Sequence, residues 1–186
     1  MKFTDFGNGI FTVDNFFSEQ ECKDWIQKSE EIGYEEAKIS FGQRQVLMKG
    51  VRNNERLIYD SNDLAEELWE RVKEYVPKET YLGVASGLNE RFRFYKYYPG
   101  QEFKPHQDGS YYRNIHEWSS FTFMIYLNED MIGGETKFNY DSIKPEIGKA
   151  LIFRHELVHS GSKVIEGFKY VLRTDVMYRR KPKKEE

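Results

Sequence analysis

His106 and Asp108 stand one residue apart in Pro105-His106-Gln107-Asp108-Gly109. On an extended segment, side chains at i and i+2 point to one face, so an imidazole and a carboxylate would project together. Gly109 then allows the chain to turn sharply. Such a pair alone is usually just a hydrogen bond. A third candidate ligand follows in His155-Glu156-Leu157-Val158-His159-Ser160-Gly161. His106, Asp108 and His159 together make the two-His, one-carboxylate facial set of non-haem Fe(II) oxygenases, which leaves three positions open for a chelating cosubstrate and O2. Zinc accepts the same ligands, and His155 is a rival to His159.

Two cations follow on one strand face. Lys169 lies ten residues after His159 and Arg173 four further on. A dicarboxylic 2-oxo acid that chelates iron by one end leaves its other carboxylate pointing inward. A buried carboxylate needs a charged hydrogen-bonding partner, and Lys169 or Arg173 could be that anchor. The alternative is a pair of solvent-facing charges on an edge strand. Upstream, Val51-Arg52-Asn53-Asn54-Glu55-Arg56 carries four strong donors in six residues. Arg52, Asn53, Asn54 and Arg56, with Tyr111, Tyr112 and Arg113 just after the metal motif, are the candidate substrate contacts. They suit a polar or anionic substrate, small or peptidyl; a hydrogen-bonded loop is the plainer reading of the first segment.

These groups need a scaffold. Ile10–Val13 reads as a short strand. Ser18 and Glu21 form a capping box, Phe17 can staple onto Cys22, and Cys22, Trp25, Ile26 and Ser29 share a helix face that ends at Gly33. A second helix is predicted over residues 61–76, with Leu64, Leu68 and Val72 on one stripe, Ala65, Trp69 and Val76 beside it, and Pro77 as its stop. From about residue 90, Arg91–Tyr97, Phe121–Leu127 and Lys169–Val176 alternate at period two, and Ala150–Phe153 is a short apolar run. Pro99-Gly100, Gly133-Gly134, Gly148 and Gly161 punctuate them. The pattern predicts a mainly β fold with flanking helices (α+β), its core a double-stranded β-helix (jelly roll) with the N-terminal helices packed on one side.

Composition sets the remaining bounds. The 186 residues suffice for one domain, expected over 1–178 with a charged tail at 179–186. Aromatics at 16% favour a β-rich core. With 28 basic and 31 acidic residues intermixed, no nucleic-acid partner is expected. One cysteine, Cys22, excludes an internal disulfide and a cysteine-built zinc site, and suits a buried thiol. No long apolar run suggests a membrane span or secretory signal, so a cytoplasmic protein is expected.

Further landmarks follow one another in order: Tyr97-Tyr98-Pro99-Gly100-Gln101, His106-Gln107-Asp108, Phe123-Met124-Ile125-Tyr126-Leu127-Asn128, Gly133-Gly134-Glu135-Thr136, His159-Ser160-Gly161 and Gly167-Phe168-Lys169. In that order and spacing the chain resembles the 2-oxoglutarate/Fe(II)-dependent dioxygenases, in the prolyl 4-hydroxylase-like branch, from about residue 10 to 178. The resemblance implies Fe(II), 2-oxoglutarate and O2, with ascorbate as an optional helper. It implies His106, Asp108 and His159 as iron ligands, Lys169 and Tyr97 on the 2-oxoglutarate C5 carboxylate, and Thr136 near it, with Tyr126 facing the pocket or simply filling the core. Related halogenases lack the carboxylate ligand, so Asp108 speaks against halogenation. Collagen-type prolyl hydroxylases usually carry tryptophan after the lysine, whereas this chain has Tyr170, which leaves the substrate open. Two other classes are weighed: a metal-binding jelly roll of the cupin sort without oxygenase activity, which would not need Lys169, Tyr97 and Thr136, and a non-catalytic interaction module, which could afford to lose a ligand.

Overall fold

A computed structural model describes residues 1–181 apart from positions 42, 43, 47 and 49, and leaves the side chains of 39–41, 44 and 45 undescribed. Residues 182–186, most of the predicted tail, lie outside the described residues. Strands β1 (Lys2–Gly7) and β2 (Ile10–Asp14) precede helix α1 (Glu19–Ile32); β3 (Glu35–Glu36), β4 (Ile39–Phe41), β5 (Arg44–Val46) and β6 (Glu55–Asp60) lead to helix α2 (Asn62–Val72). Then come β7 (Gly83–Leu88), β8 (Arg91–Tyr97), β9 (Phe103–His106), β10 (Tyr112–Asn114), β11 (Glu117–Tyr126), β12 (Ile132–Gly133), β13 (Thr136–Lys137) and β14 (Ser142–Ile143). The chain closes with β15 (Ala150–Arg154), β16 (His159–Gly161), β17 (Val164–Glu166) and β18 (Lys169–Arg180).

One large antiparallel sheet runs β1-β2-β15-β11-β18-β8-β6-β3, with β10 on β11 and β7 on β18; a smaller one runs β14-β13-β16-β9. The central strands β15, β11 and β18 of the large sheet are buried on both faces, while β1 and β3 at its ends are exposed. Towards the helices, Phe121, Phe123, Ile125, Leu172 and Val176 pack with Cys22, Leu64, Leu68 and Val72. Towards the smaller sheet, Met124, Tyr126, Phe153 and Val171 pack with Tyr95, Tyr97, Ile143 and Val164. Period two therefore sorts β11 and β18 into a core face and an inner, cavity face. This is the expected jelly roll with helices on one side.

The helix signals read locally. Ser18 accepts from Glu21 N, the Glu21 carboxylate accepts from Ser18 N, and Gly33 closes α1 at φ 96° with its N–H on Ser29 O. Cys22 is a buried free thiol. Helix α2 stops at Val72, short of the predicted 76. Tyr75 N–H bonds back to Val72 O, and this tighter turn drops Val76 into the core before Pro77 is reached. Strand β18 continues through Arg180, so the first two residues of the expected tail pair with Val84 and Gly83 of β7. No described helix is long and apolar enough to cross a membrane.

Candidate metal centre

His106 and His159 face each other across the β9–β16 ladder, so strand register alone sets their imidazoles side by side. Ring centroids lie 4.3 Å apart. Asp108 follows β9 by two residues and brings Oδ1 to 3.9 Å from His106 Nε2 and Oδ2 to 3.7 Å from His159 Nε2. One ligand atom from each of the three lies within 4.8 Å of the others, and this is the one His/Cys/Asp/Glu cluster of that kind among the described residues.

The donor set suits a divalent ion. His106 Nδ1 is 2.7 Å from Lys104 O, and His159 Nδ1 is 3.0 Å from Leu157 O. A carbonyl can only accept, so each Nδ1 carries the proton and each Nε2 keeps its lone pair for a metal. Burial favours neutral imidazole: His106 is pushed down to about 4, with the neighbouring His159 adding to the effect, and burial lowers His159 as well. Burial would raise Asp108, but Arg173, His159 and the hydroxyl of Thr122 outweigh it and hold the carboxyl well below the usual range. Thr122 Oγ1 donates to Asp108 Oδ2 at 2.5 Å, and Arg173 Nη2 stands 3.1 Å from the same oxygen. Three protein ligands, with no fourth among the described residues, fit the facial set.

Arg173 is committed here. It also meets Asp175 Oδ1 at 3.0 Å and donates to Thr122 Oγ1 at 3.2 Å. It braces the metal ligand, which leaves Lys169 as the cation available to the far end of a cosubstrate. His155, the rival ligand, is buried behind this brace with Nε2 3.5 Å from Asp175 Oδ1, and lies outside the triad cluster.

Lys169 opens β18 opposite Tyr97 of β8. It is 3% exposed, donates to Gly134 O at 2.6 Å, and lies over the Tyr97 and Tyr126 rings at 5.3 and 5.5 Å. Gly134 has φ 77°, and a Cβ there would come within 3.1 Å of Lys169 Cδ. Among the described residues no carboxylate lies within ion-pair distance of Lys169, and burial lowers its ammonium to about 8 against the pull of Glu135. A buried ammonium with only a neutral partner is a ready site for the distal carboxylate of 2-oxoglutarate. Tyr126 is wholly buried and donates to Thr136 Oγ1 at 2.7 Å. Burial raises Tyr97 to about 12, so its phenol stays protonated and able to donate.

A cavity of about 620 Å³ joins these groups: Tyr97, Thr136 and Lys169 line it together with the triad. Of the candidate substrate contacts, Arg52, Arg56 and Tyr111 line it too. The rest do not. Asn53 Oδ1 accepts from Glu102 N and so ties its loop to the turn before β9, while Asn54 accepts from Arg52 Nε and donates to Glu55 O within its own loop. Arg113 is turned away by the β10–β11 pairing, bonds Glu117 and Glu90, and borders a separate hollow. Arg93, Tyr95, Met124 and Asp175 also line the cavity. Their signal was the inner-face periodicity of β8, β11 and β18, two or four residues from positions already singled out.

Residues 92–174 match the family model described as the 2OG-Fe(II) oxygenase superfamily. Solved structures share the fold. A viral collagen prolyl hydroxylase from Paramecium Bursaria Chlorella virus-1, in its 2OG complex, superposes with TM-score 0.67 at 21% identity, covering 92% of this chain and 97% of that one. A Pseudomonas putida prolyl-4-hydroxylase gives 0.65 at 16% identity, covering 95% of each chain. A Trichoplax adhaerens prolyl hydroxylase, bound to a hypoxia inducible factor peptide fragment, gives 0.68 at 15%, covering 94% of this chain and 84% of that one. No curated protein matches.

Proposed function

We propose that this chain, a 2-oxoglutarate- and Fe(II)-dependent oxygenase with a prolyl 4-hydroxylase-like jelly roll, hydroxylates an unactivated C–H bond in a prolyl residue or a small polar molecule. One O2 and one 2-oxoglutarate are consumed per hydroxyl formed, with succinate and CO2 released. The observation that carries the reading is a single cavity holding both the His106–Asp108–His159 cluster and the buried Lys169, which has no carboxylate within ion-pair distance among the described residues.

His106 and His159 would hold iron through Nε2 and Asp108 through its carboxylate. Iron bound there, with 2-oxoglutarate and O2, supplies the oxidising chemistry of C–H hydroxylation. The protein's own part is placement and charge. Lys169 neutralises the distal carboxylate of 2-oxoglutarate, and Tyr97 and Thr136 complete its hydrogen bonds, with Tyr126 fixing the threonine hydroxyl. Arg173 keeps Asp108 ionised and oriented. The apolar walls, Met124, Phe153 and Val171, exclude water around the reacting carbon. We place the protein in the cytoplasm, a reading that rests on the lack of a membrane-length apolar helix among the described residues and on the single buried thiol.

Succinate release tests this. With Fe(II) and O2 the wild type converts 2-oxoglutarate to succinate, faster once substrate is present, and Asp108→Ala does not. Equal release from Asp108→Ala would overturn the assignment.

A further inference from the structure

The cavity has more positive charge than the mechanism uses. Lys38, Arg52, Arg56, Arg93, Lys169 and Arg173 line it against two carboxylates, Asp108 and Asp175. Both carboxylates are taken: Arg173 meets each, and Arg93 lies 3.4 Å from Asp175. Lys169 is assigned to 2-oxoglutarate. The surplus gathers at Arg52, in the loop before β6.

Arg52 is 6% exposed, and its Nη2 is buried without a hydrogen-bond partner among the described residues. Nε is held at 2.6 Å by the neutral Asn54 side chain. The guanidinium lies between two rings, 4.3 Å from the Tyr95 centroid and 4.5 Å from Phe103. An isolated bridge pairs Arg52 with Phe103 of β9, and Phe103 stacks on the ligand His106 at 3.5 Å between centroids. The aromatic faces offset part of the cost of burying the charge and fix the plane of the group. The Tyr95 hydroxyl also accepts from the guanidinium, yet Nη2 keeps no acceptor among the described residues. A buried guanidinium in the cavity wall, clamped at both faces and with one donor nitrogen left over, is prepared for an oxyanion from outside the protein.

The structure assigns, we infer, a second anion site beside the metal centre: Arg52 binds a carboxylate or phosphate group of the primary substrate and so holds its C–H bond near the iron face. This rests on the oxygenase reading for the meaning of the site, while the anion binding itself does not. Lys169 cannot be its duplicate. On β18 and β8, Lys169 pairs with Tyr97, whereas Arg52 stacks one inner-face position further on, at Tyr95 opposite Val171. The two cations thus serve different levels of the cavity. The group Arg52 binds can come from a small organic acid or from an acidic side chain flanking the target residue in a peptide.

The test uses protein loaded with redox-inert Zn(II) and saturated with 2-oxoglutarate, so that Lys169 is occupied. Calorimetric titration with inorganic phosphate then reads the second site. Phosphate affinity should fall about tenfold in Arg52→Gln and recover in part in Arg52→Lys, while the 2-oxoglutarate affinity of both variants stays within about twofold of wild type. If the glutamine variant fails to fold, the lysine variant decides, since it keeps the charge and loses the planar fork. L-Aspartate against L-asparagine, and capped Glu-Pro-Glu against Gln-Pro-Gln, separate the two sources; tighter binding of the acidic member of either pair supports the site and identifies the source. Phosphate affinity unchanged in folded Arg52→Gln overturns the proposal, as does a loss that falls on 2-oxoglutarate, or acidic probes binding no better than neutral ones. A wild type that binds phosphate through Arg52 but no 2-oxoglutarate would instead overturn the oxygenase reading.

Discussion

At the scale of single residues, the site divides labour among cations by their partners. Arg173 has two carboxylates and serves the metal ligand, while Lys169 pairs with none among the described residues and awaits one. Lys169→Ala is expected to weaken 2-oxoglutarate binding on the order of 10- to 100-fold, the worth of one charge-assisted hydrogen bond in a buried site, with metal affinity unchanged; equilibrium titration under anaerobic conditions reads both. The ammonium is charged only below about pH 8 in the free protein. The anion needs that charge, so 2-oxoglutarate affinity should hold below pH 8 and fall about tenfold per unit above it, one proton being linked to binding. Stability carries the opposite sign. The folded ammonium titrates below its unfolded value, so the unfolded chain holds more protons between about 8 and 10.5, and this group makes the ligand-free fold more stable as pH rises through that window. Lys169→Ala should lose both dependences.

At the scale of elements, strands set the ligands and helices hold the strands. Neither Ser18 nor Glu21 of the capping box lines the cavity, so Ser18→Ala should cost about 1 kcal/mol of stability and leave 2-oxoglutarate affinity alone; denaturant melts and binding titration check the two halves. Gly148 is the opposite case. At φ 72° an added Cβ would meet Phe17 O at 2.0 Å, against the same loop whose Phe17 N–H bonds Gly148 O. Gly148→Ala should destabilise by more than the capping mutant, because both strain and a broken turn are involved. What the sequence disclosed also divides at this scale. The capping box, α1, β8, β11, β15 and β18 were legible because their signals are local: a cap, a 3.6 period, a period of two. Strand β1 went unread although its signal was present: Asn8 and Gly9 both take positive φ, the Asn-Gly turn of a tight hairpin. The triad was legible as a set of residue types, since His106 and Asp108 share a face by simple alternation. Arg113 lies outside the cavity lining, because nearness to the metal motif in sequence says nothing of the hairpin that carries it away. Asn53 and Asn54 fall outside the cavity lining, because an amide that holds loops together looks the same in sequence as one that binds a ligand.

At the scale of the whole molecule, both faces of the large sheet are committed, one to the helices and one to the cavity. Ligands that fill the cavity bind only the folded state and so stabilise it by mass action. Metal plus 2-oxoglutarate at about 100 times Kd adds roughly 2.7 kcal/mol for a saturating ligand, which for a chain of this size corresponds to a melting shift of about 5–10 °C. Chelation with EDTA should reverse the shift. In Lys169→Ala the increment from metal should remain and the increment from 2-oxoglutarate should largely vanish. The order of strands that creates this shared cavity was beyond the sequence, because β2, β15, β11 and β18 are neighbours only through long-range pairing.

Binding of Fe(II) and 2-oxoglutarate together in one cavity is tested most directly by anaerobic titration of the wild type with both, followed by visible absorption. A weak metal-to-ligand charge-transfer band should grow to one equivalent of each, be absent with either alone, disappear in Asp108→Ala, and require far more 2-oxoglutarate in Lys169→Ala. No band in folded wild type, or an undiminished band in Asp108→Ala, would contradict the account.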